Sequence, residues 1–347
     1  MKKARTYLVS ACAIVAIMWA PVYAEQTDKV VHSEEATGFV ESNDNAPPAV
    51  PVSFPDKAPD PEKQAAFDAA MRDADARQRV FDDAAAAVKL DGSFVQGGLV
   101  FGRAVPGAKV TLNGEPVMVG DDGRFLLGFG RDAGPTALLV VDGPGAPSER
   151  RSLEIADRDF PVDRIDGLDQ SKVSGFTEAQ LARIGDDVAK KKAARATTQT
   201  MAEWANGFDW PVTGRVSGVF GSQRILNGEP KRPHSGLDVA APTGTPIVAP
   251  AAGIVRLADP DMYFEGGLVL LDHGHWLESA FLHLSRLDVK PGDHVEKGQV
   301  IGAVGATGRA TGPHMHWSVK WAGTLVDPQL LVGDMPKAGE NVAGSQN

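Results

Sequence analysis

The sequence predicts a mainly β protein: a glycine-rich β domain at the C-terminal end, a small β-sandwich before it, and helical linkers. Three observations carry this. Over residues 94–160 and 209–335 the hydrophobic runs are short, rich in β-branched residues and closed by turn signals such as Leu112-Asn113-Gly114-Glu115 and Gly120-Asp121-Asp122-Gly123. Helical periodicity is confined to two stretches, one over 62–90 and one starting near Thr177. At 347 residues with 43% hydrophobic content, the chain exceeds one ordinary domain and has enough apolar mass for two folded units.

In chain order, Lys2, Lys3 and Arg5 precede an apolar run to Ala20 and then Pro21-Val22-Tyr23-Ala24. This predicts a signal peptide over 1–24 with cleavage after Ala24. The run is short for a membrane span of about 20 residues, which disfavours an uncleaved anchor. The single cysteine, Cys12, lies in this segment, and the apolar core before it is too short for a lipoprotein attachment site. Without Cys12 the mature chain has neither disulfides nor a cysteine nucleophile. The net charge of −10 becomes more acidic once three basic residues are removed, which disfavours nucleic acid and anionic lipid as partners.

Residues 25–61 are polar and proline-rich and have too little apolar surface to order, predicting a disordered linker. Over 62–90, Phe67, Met71, Ala74, Phe81 and Val88 recur at helical steps, predicting an amphipathic helix. Residues 94–160 read as the small β-sandwich, with strands at 117–119, 125–127 and 137–141. Nothing in it has ligand spacing, so it reads as a positioning or binding module. Residues 165–208 form a helical linker, opened by the capping box Thr177/Gln180, with Leu181, Ile184 and Val188 on one face. Lys190, Lys191 and Lys192 are expected on its solvated face. Trp210-Pro211-Val212 opens the last domain, 209–335, and 336–347 is expected to be a disordered tail.

Chemistry concentrates in that last domain. His234-Ser235-Gly236-Leu237-Asp238 and Gly312-Pro313-His314-Met315-His316-Trp317 contribute three histidines and an aspartate. Imidazole nitrogen and carboxylate oxygen are usual zinc ligands, and a catalytic zinc takes three from the protein, so one histidine is left over. The donor set suits zinc better than magnesium or calcium. Alternation in a strand puts His314 and His316 on one face, and Phe281 and His283 on a common face. A shared cavity of four histidines and Asp238 is expected. His273 and His275 are expected beside the site or at the surface, and His294 in solvent.

This segment resembles the catalytic domain of the M23 family of zinc metallopeptidases, the LytM-type and lysostaphin-type peptidoglycan endopeptidases. The H-x-x-x-D motif is His234 to Asp238 and the H-x-H motif His314 to His316, with Gly218-Val219-Phe220-Gly221, Gly244-Thr245-Pro246, Gly298-Gln299-Val300-Ile301-Gly302 and Thr307-Gly308-Arg309 in support. The resemblance covers roughly residues 209–335 and implies a β-rich hairpin domain of the duplicated hybrid motif. It also implies one zinc held by His234, Asp238 and His316, with His283 and His314 as general base and transition-state stabiliser in either order. The 94–160 unit resembles the β domain preceding the peptidase in some proteobacterial M23 proteins.

By the same resemblance, the substrate is the peptide cross-link of peptidoglycan and the location the cell envelope, most simply the periplasm. A regulatory or division-machinery protein partner is left open. Arg224, Lys231 and Arg232 offer positive charge beside the groove. The family commonly has tyrosine where Phe281 stands, leaving Tyr263 as the remaining phenol. Degenerate members act by binding and activating another wall hydrolase, but they lack the ligands that this chain has. A biotinyl- or lipoyl-type carrier needs a lysine at a tight turn, which is missing, and no Gly-x-Ser-x-Gly elbow is present. Because every candidate residue follows Trp210, a fragment of residues 205–347 is expected to suffice for chemistry.

Overall fold

A computed structural model describes residues 88–336, apart from 145–147, 169 and 171–172. The signal peptide, the proline-rich linker, residues 62–87 of the expected helix and the tail beyond Pro336 lie outside the described residues. The last three residues of that expected helix are described and are not helical. Val88 and Leu90 are buried while Lys89 and Asp91 point out, a two-residue period that suits a sheet edge, and Lys89 opens the first strand.

Seven strands form the first unit: β1 (Lys89–Gly92), β2 (Leu99–Arg103), β3 (Lys109–Leu112), β4 (Glu115–Val117), β5 (Arg124–Gly128), β6 (Thr136–Asp142) and β7 (Glu149–Glu154). They make two sheets, ordered β1-β2-β5 and β4-β3-β6-β7. Asn113 and Gly114 take positive φ at 51° and 88°, the two-residue turn that Asn-Gly favours between β3 and β4. Val100, Phe125 and Leu127 of one sheet meet Val110, Leu139 and Leu153 of the other in one core, as a sandwich requires.

Strand β8 (Val162–Ile165) ends where the expected helical linker, 165–208, begins, and the linker contains α1 (Glu178–Ala194) and a 3-10 turn (Glu203–Asn206). The capping box is formed: Thr177 Oγ1 accepts from the Gln180 N–H, and the Gln180 side chain accepts from the Thr177 N–H. The face of α1 that is buried carries Ile184, Asp187 and Lys191. Lys191 is therefore not part of a solvated run, because its Nζ pairs with Glu265 in the next domain.

That domain contains β9 (Arg215–Gly218), β10 (Gln223–Leu226), β11 (Glu229–Pro230), β12 (Leu237–Ala240), β13 (Pro246–Val248), β14 (Gly253–Met262), β15 (Gly266–Gly274) and β16 (Leu277–Leu284). The short strands β17 (Arg286–Leu287), β18 (His294–Val295) and β19 (Val300–Ala303) follow, then β20 (His314–Trp321) and β21 (Thr324–Val326). The main sheet runs β18-β14-β15-β16-β20-β12-β9, with β21 also on β20, and the sheet β13-β19-β17 covers its core face. β8 lies parallel to β10, so the segment just before the linker adds a strand to a third sheet, β11-β10-β8. The fold is mostly β, and no described helix is long and apolar enough to cross a membrane.

The two β units share apolar contacts. Leu99 and Leu126, on the outer face of the β1-β2-β5 sheet, belong to the core that holds Leu237, Phe281 and Trp317, and Phe101 packs at its edge. Arg158 pairs at 2.9 Å with Asp327, which is 2% exposed. These contacts bear on the stability of the fragment 205–347 that is expected to suffice for chemistry. Cutting there would uncover the apolar surface that meets Leu99 and Leu126 and strip α1, with Ile184 and Lys191, from the 263–265 turn, a loss of several kcal/mol by the apolar area exposed. The fragment is expected to melt about 10 °C or more below the full chain by circular dichroism. Equal melting temperatures would show that the first unit contributes no stability.

His273 and His275 are 0% and 1% exposed, within the fold rather than at its surface. Trp317 donates Nε1–H to Ser279 Oγ at 3.1 Å, Ser279 donates to His273 Nε2 at 2.8 Å, and His273 donates Nδ1–H to the Ala252 carbonyl at 2.7 Å. Every member is satisfied only if His273 is neutral, and burial holds its ring below the ordinary histidine range. An unfolded chain takes up a proton near pH 6.5 that the folded one refuses, so stability is full above that pH and declines as pH falls below it. The urea midpoint is expected to drop from pH 7 to pH 5, with a shallower drop in His273→Phe.

Candidate active site

The register of β12 against β20 sets Asp238 directly opposite His316 and Ala240 opposite His314. Alternation sends Leu237, Val239, Met315 and Trp317 into the core, each 0% exposed, so Asp238, His314 and His316 share the other face. His234 lies in the loop just before β12. Its Nδ1–H donates to the Val219 carbonyl at 2.9 Å, which turns Nε2 toward Asp238 and His316. Gly236 lets the loop close here: a Cβ would lie 2.2 Å from the Trp317 carbonyl oxygen.

Three atoms converge. His234 Nε2 is 3.0 Å from Asp238 Oδ1 and 3.0 Å from His316 Nδ1, and His316 Nδ1 is 2.7 Å from Asp238 Oδ1. Burial works to raise the Asp238 carboxyl, but the two histidines outweigh it and hold the group well below the ordinary carboxylate range. Burial pushes His316 down to about 4, against its bond to Asp238. With the His234 proton committed to Val219, its Nε2 lone pair faces the other two atoms, and His316 Nδ1 offers a second lone pair when its proton sits on Nε2 beside Ser235 Oγ. Two imidazole nitrogens and a carboxylate oxygen in this arrangement are a donor set for a divalent ion of the zinc type. Ser235 Oγ lies 3.3 Å from His316 Nε2, the nitrogen turned away from the cluster.

Arg224, expected as open charge beside the groove, is used differently. Its Nη2 donates to Asp238 Oδ2 at 2.9 Å, so it fixes the carboxylate with Oδ1 toward the histidines. Lys231 pairs with Glu229 at 2.8 Å, and Arg232 is exposed. Gly218 stands opposite Asp238 on β9; a Cβ there would lie 2.6 Å from Asp238 Oδ2 and 3.1 Å from His234 Cε1.

His283 overturns the common-face expectation. Phe281 faces the core and stacks on Trp317 at 6.4 Å and 8°, and regular alternation would send His283 the same way. Instead the register shifts between Gly267 and Val269 on the paired strand, and His283 takes φ 67°. This bulge turns its ring onto the opposite face, 4.7 Å from the His314 ring and 6.3 Å from the His316 ring, centroid to centroid. His283 Nδ1–H donates to the Thr307 carbonyl at 2.8 Å, leaving Nε2 as an acceptor. Burial first, then the neighbouring histidines, push it down to about 3. His314 is half-buried; its Nδ1–H donates to the Gly312 carbonyl at 2.8 Å and its Nε2 is 3.9 Å from Asp238 Oδ1.

All five expected residues thus meet in one cleft. Tyr263 turns its ring to Phe176, Phe264 and the Arg183 guanidinium on the α1 side. His294 sits at the surface, 3.1 Å from Glu203.

A glycine-rich β-sheet presents a His–Asp–His cluster that could hold a metal ion, with two further histidines beside it, an arrangement of the metallopeptidase kind. Residues 232–328 match the model of Peptidase family M23. The peptidoglycan DD-endopeptidase ShyA of Vibrio cholerae is 41% identical over 237 residues, covering 62% of this chain and 52% of the relative. ShyC of the same organism, also a peptidoglycan DD-endopeptidase, is 38% identical over 126 residues, 36% of this chain and 28% of the relative. The chain therefore spans about a quarter to a half of the length of these relatives. A crystal structure of a peptidase M23 from Pseudomonas aeruginosa aligns with TM-score 0.52 at 35% identity, covering 68% of this chain and 94% of that one. The chain belongs to peptidase family M23.

Two substitutions probe the cluster without removing a donor. Arg224→Met frees the outer oxygen of Asp238 and is expected to weaken zinc affinity by about 10- to 100-fold, measured by competition with a chromophoric chelator. Gly218→Ala forces Asp238 or His234 aside and is expected to weaken it at least as much. Unchanged affinity in both would show that the carboxylate orientation is set elsewhere.

Proposed function

We propose that the chain is an exported, zinc-dependent endopeptidase that hydrolyses peptide cross-links of peptidoglycan in the periplasm. The observation that carries this reading is the convergence of His234 Nε2, Asp238 Oδ1 and His316 Nδ1 within 3.0 Å of one another, beside two histidines whose ring protons are already committed to backbone carbonyls. The substrate class is supported by the two relatives named as peptidoglycan DD-endopeptidases.

His234, Asp238 and His316 would hold the zinc, one per chain. Bound there, it supplies Lewis acidity, which acidifies water and polarises a carbonyl. The remaining steps belong to the protein. His283 is kept neutral by burial, and its Nε2 accepts a hydrogen bond that orients the attacking water. His314 takes the proton at Nε2 and passes it to the leaving amine; the Asp238 carboxylate 3.9 Å away faces the positive charge that the ring then carries. Arg224 keeps the Asp238 carboxylate turned inward throughout.

Digestion of purified peptidoglycan, with fragments identified by mass, tests the reaction: new amino termini from cross-linked dimers support it, and intact dimers with a zinc-loaded protein overturn it. Alanine at His234, Asp238 or His316 is expected to abolish both zinc content and activity. Alanine at His283 or His314 is expected to keep zinc near stoichiometric while the rate falls by about 10² to 10⁴. Loss of zinc in His314→Ala with retention in His316→Ala would reverse the two roles.

A further inference from the structure

We propose that Lys191 is a positioning residue for His283 that acts through Glu265, which makes α1 a working part of the active site; this rests on the role of His283 given above. Lys191 is 5% exposed and pairs with the Glu265 carboxylate, itself 4% exposed. The backbone carbonyl of the same glutamate accepts the N–H of His283 at 2.8 Å. One residue thus carries the ion pair on its side chain and the catalytic histidine on its backbone.

His283 needs such an anchor. At φ 67° it occupies a conformation that side chains other than glycine adopt at a cost, and such residues persist only where the surroundings over-determine them. Two attachments hold it outside the strand ladder, the Glu265 carbonyl at the backbone and the Thr307 carbonyl at the ring. Both belong to one wedged unit. A Cβ on Gly266 would lie 2.2 Å from Thr307 Oγ1, and one on Gly308 would lie 2.4 Å from the Gly266 nitrogen, so the 264–267 turn and the 307–308 loop touch backbone to backbone.

Helix α1 backs this unit from outside. Asp187 Oδ2 accepts the Tyr263 N–H at 2.7 Å, and Ile184 packs on Tyr263 and Phe264. Ile184, Asp187 and Lys191 lie on one helical face, so the helix grips consecutive residues of the turn. A buried ion pair is a poor device for stability alone, since a well-packed apolar pair serves as well or better. Its directional hold on Glu265 is what an apolar pair lacks.

The test uses the full chain and cross-linked muropeptide dimers. Lys191→Met is expected to lower kcat by about 10- to 100-fold with KM and bound zinc unchanged, the scale of a small misplacement of a catalytic group. Lys191→Arg, which keeps the ion pair, should restore kcat to within about threefold. Lys191→Met combined with Glu265→Leu removes both partners of the pair, leaves Arg309 stacked on Phe264 without the Glu265 charge, and should recover most of the melting temperature while kcat stays low. In a His283→Ala background Lys191→Met should change kcat by less than about twofold, because its target is gone. Wild-type kcat in Lys191→Met, or recovery of both stability and kcat in the double variant, overturns the proposal.

If the wild-type protein cuts no cross-link, the function reading fails and the positioning claim is decided by nuclear magnetic resonance of 15N-histidine-labelled protein. The His283 Nδ1–H signal should shift or vanish in Lys191→Met while that of His273 stays in place. A His283 signal unmoved by Lys191→Met overturns it independently of activity.

Discussion

The pairing of β12 with β20 is the constraint on which the site depends. A strand pair offers two faces, and here one is filled by Leu237, Val239, Met315 and Trp317 while the other carries Asp238, His314 and His316. A slip of one residue would send the tryptophan to solvent and the ligands into the core, so the hydrophobic pattern that folds the sheet also fixes which side chains can meet a metal. The register is further locked by Gly236 and Gly218, where any side chain would strike Trp317 or Asp238.

His283 is the exception that completes the cleft. Alternation alone would bury it beside Phe281, and only the bulge with its left-handed residue brings it across to His314 and His316. That departure from regular strand geometry is held by groups outside β16: the Glu265 and Thr307 carbonyls, and behind Glu265 the lysine of a helix. Arg224 and α1 both precede the 232–328 segment that matches the family model. The groups that position the cluster therefore extend beyond the 232–328 segment, Arg224 within the same domain and α1 from the linker before it.

How much of this was legible in the sequence divides along physical lines. The mainly β class, the Asn113-Gly114 hairpin, the Thr177/Gln180 capping box and the shared face of His314 and His316 rest on local chemistry and were readable. The face of His283 was not, because a bulge is set by the partner strand's register and leaves no mark in a six-residue window. Lys191 had a faint signal: it continues the Ile184 and Val188 stripe by three residues, and a lysine at an apolar-stripe position implies a buried partner. Reading it as one of three like charges hid that. The burial of His273 was equally hidden, since its partners Ala252, Ser279 and Trp317 come from three different stretches of chain.

The histidines of the cleft show why backbone carbonyls matter as much as the ligands themselves. A carbonyl can only accept, so Val219, Thr307 and Gly312 each compel the ring nitrogen that faces them to carry the proton. That choice leaves the opposite nitrogen of His234, His283 and His314 as a lone pair directed into the cleft, with no proton to expel and no ring to turn. His316 differs: its inner atom is Nδ1, and its outer nitrogen meets the Ser235 hydroxyl, which can donate or accept. No carbonyl sets its tautomer: Nδ1 is left as a lone pair beside Asp238 Oδ1, 2.7 Å away, when the proton sits on Nε2 toward Ser235, and Arg224 holds that carboxylate in place. Three tautomers are thus fixed by backbone carbonyls and the fourth rests on side chains alone, so the fourth is the histidine most sensitive to the loss of a single neighbouring side chain.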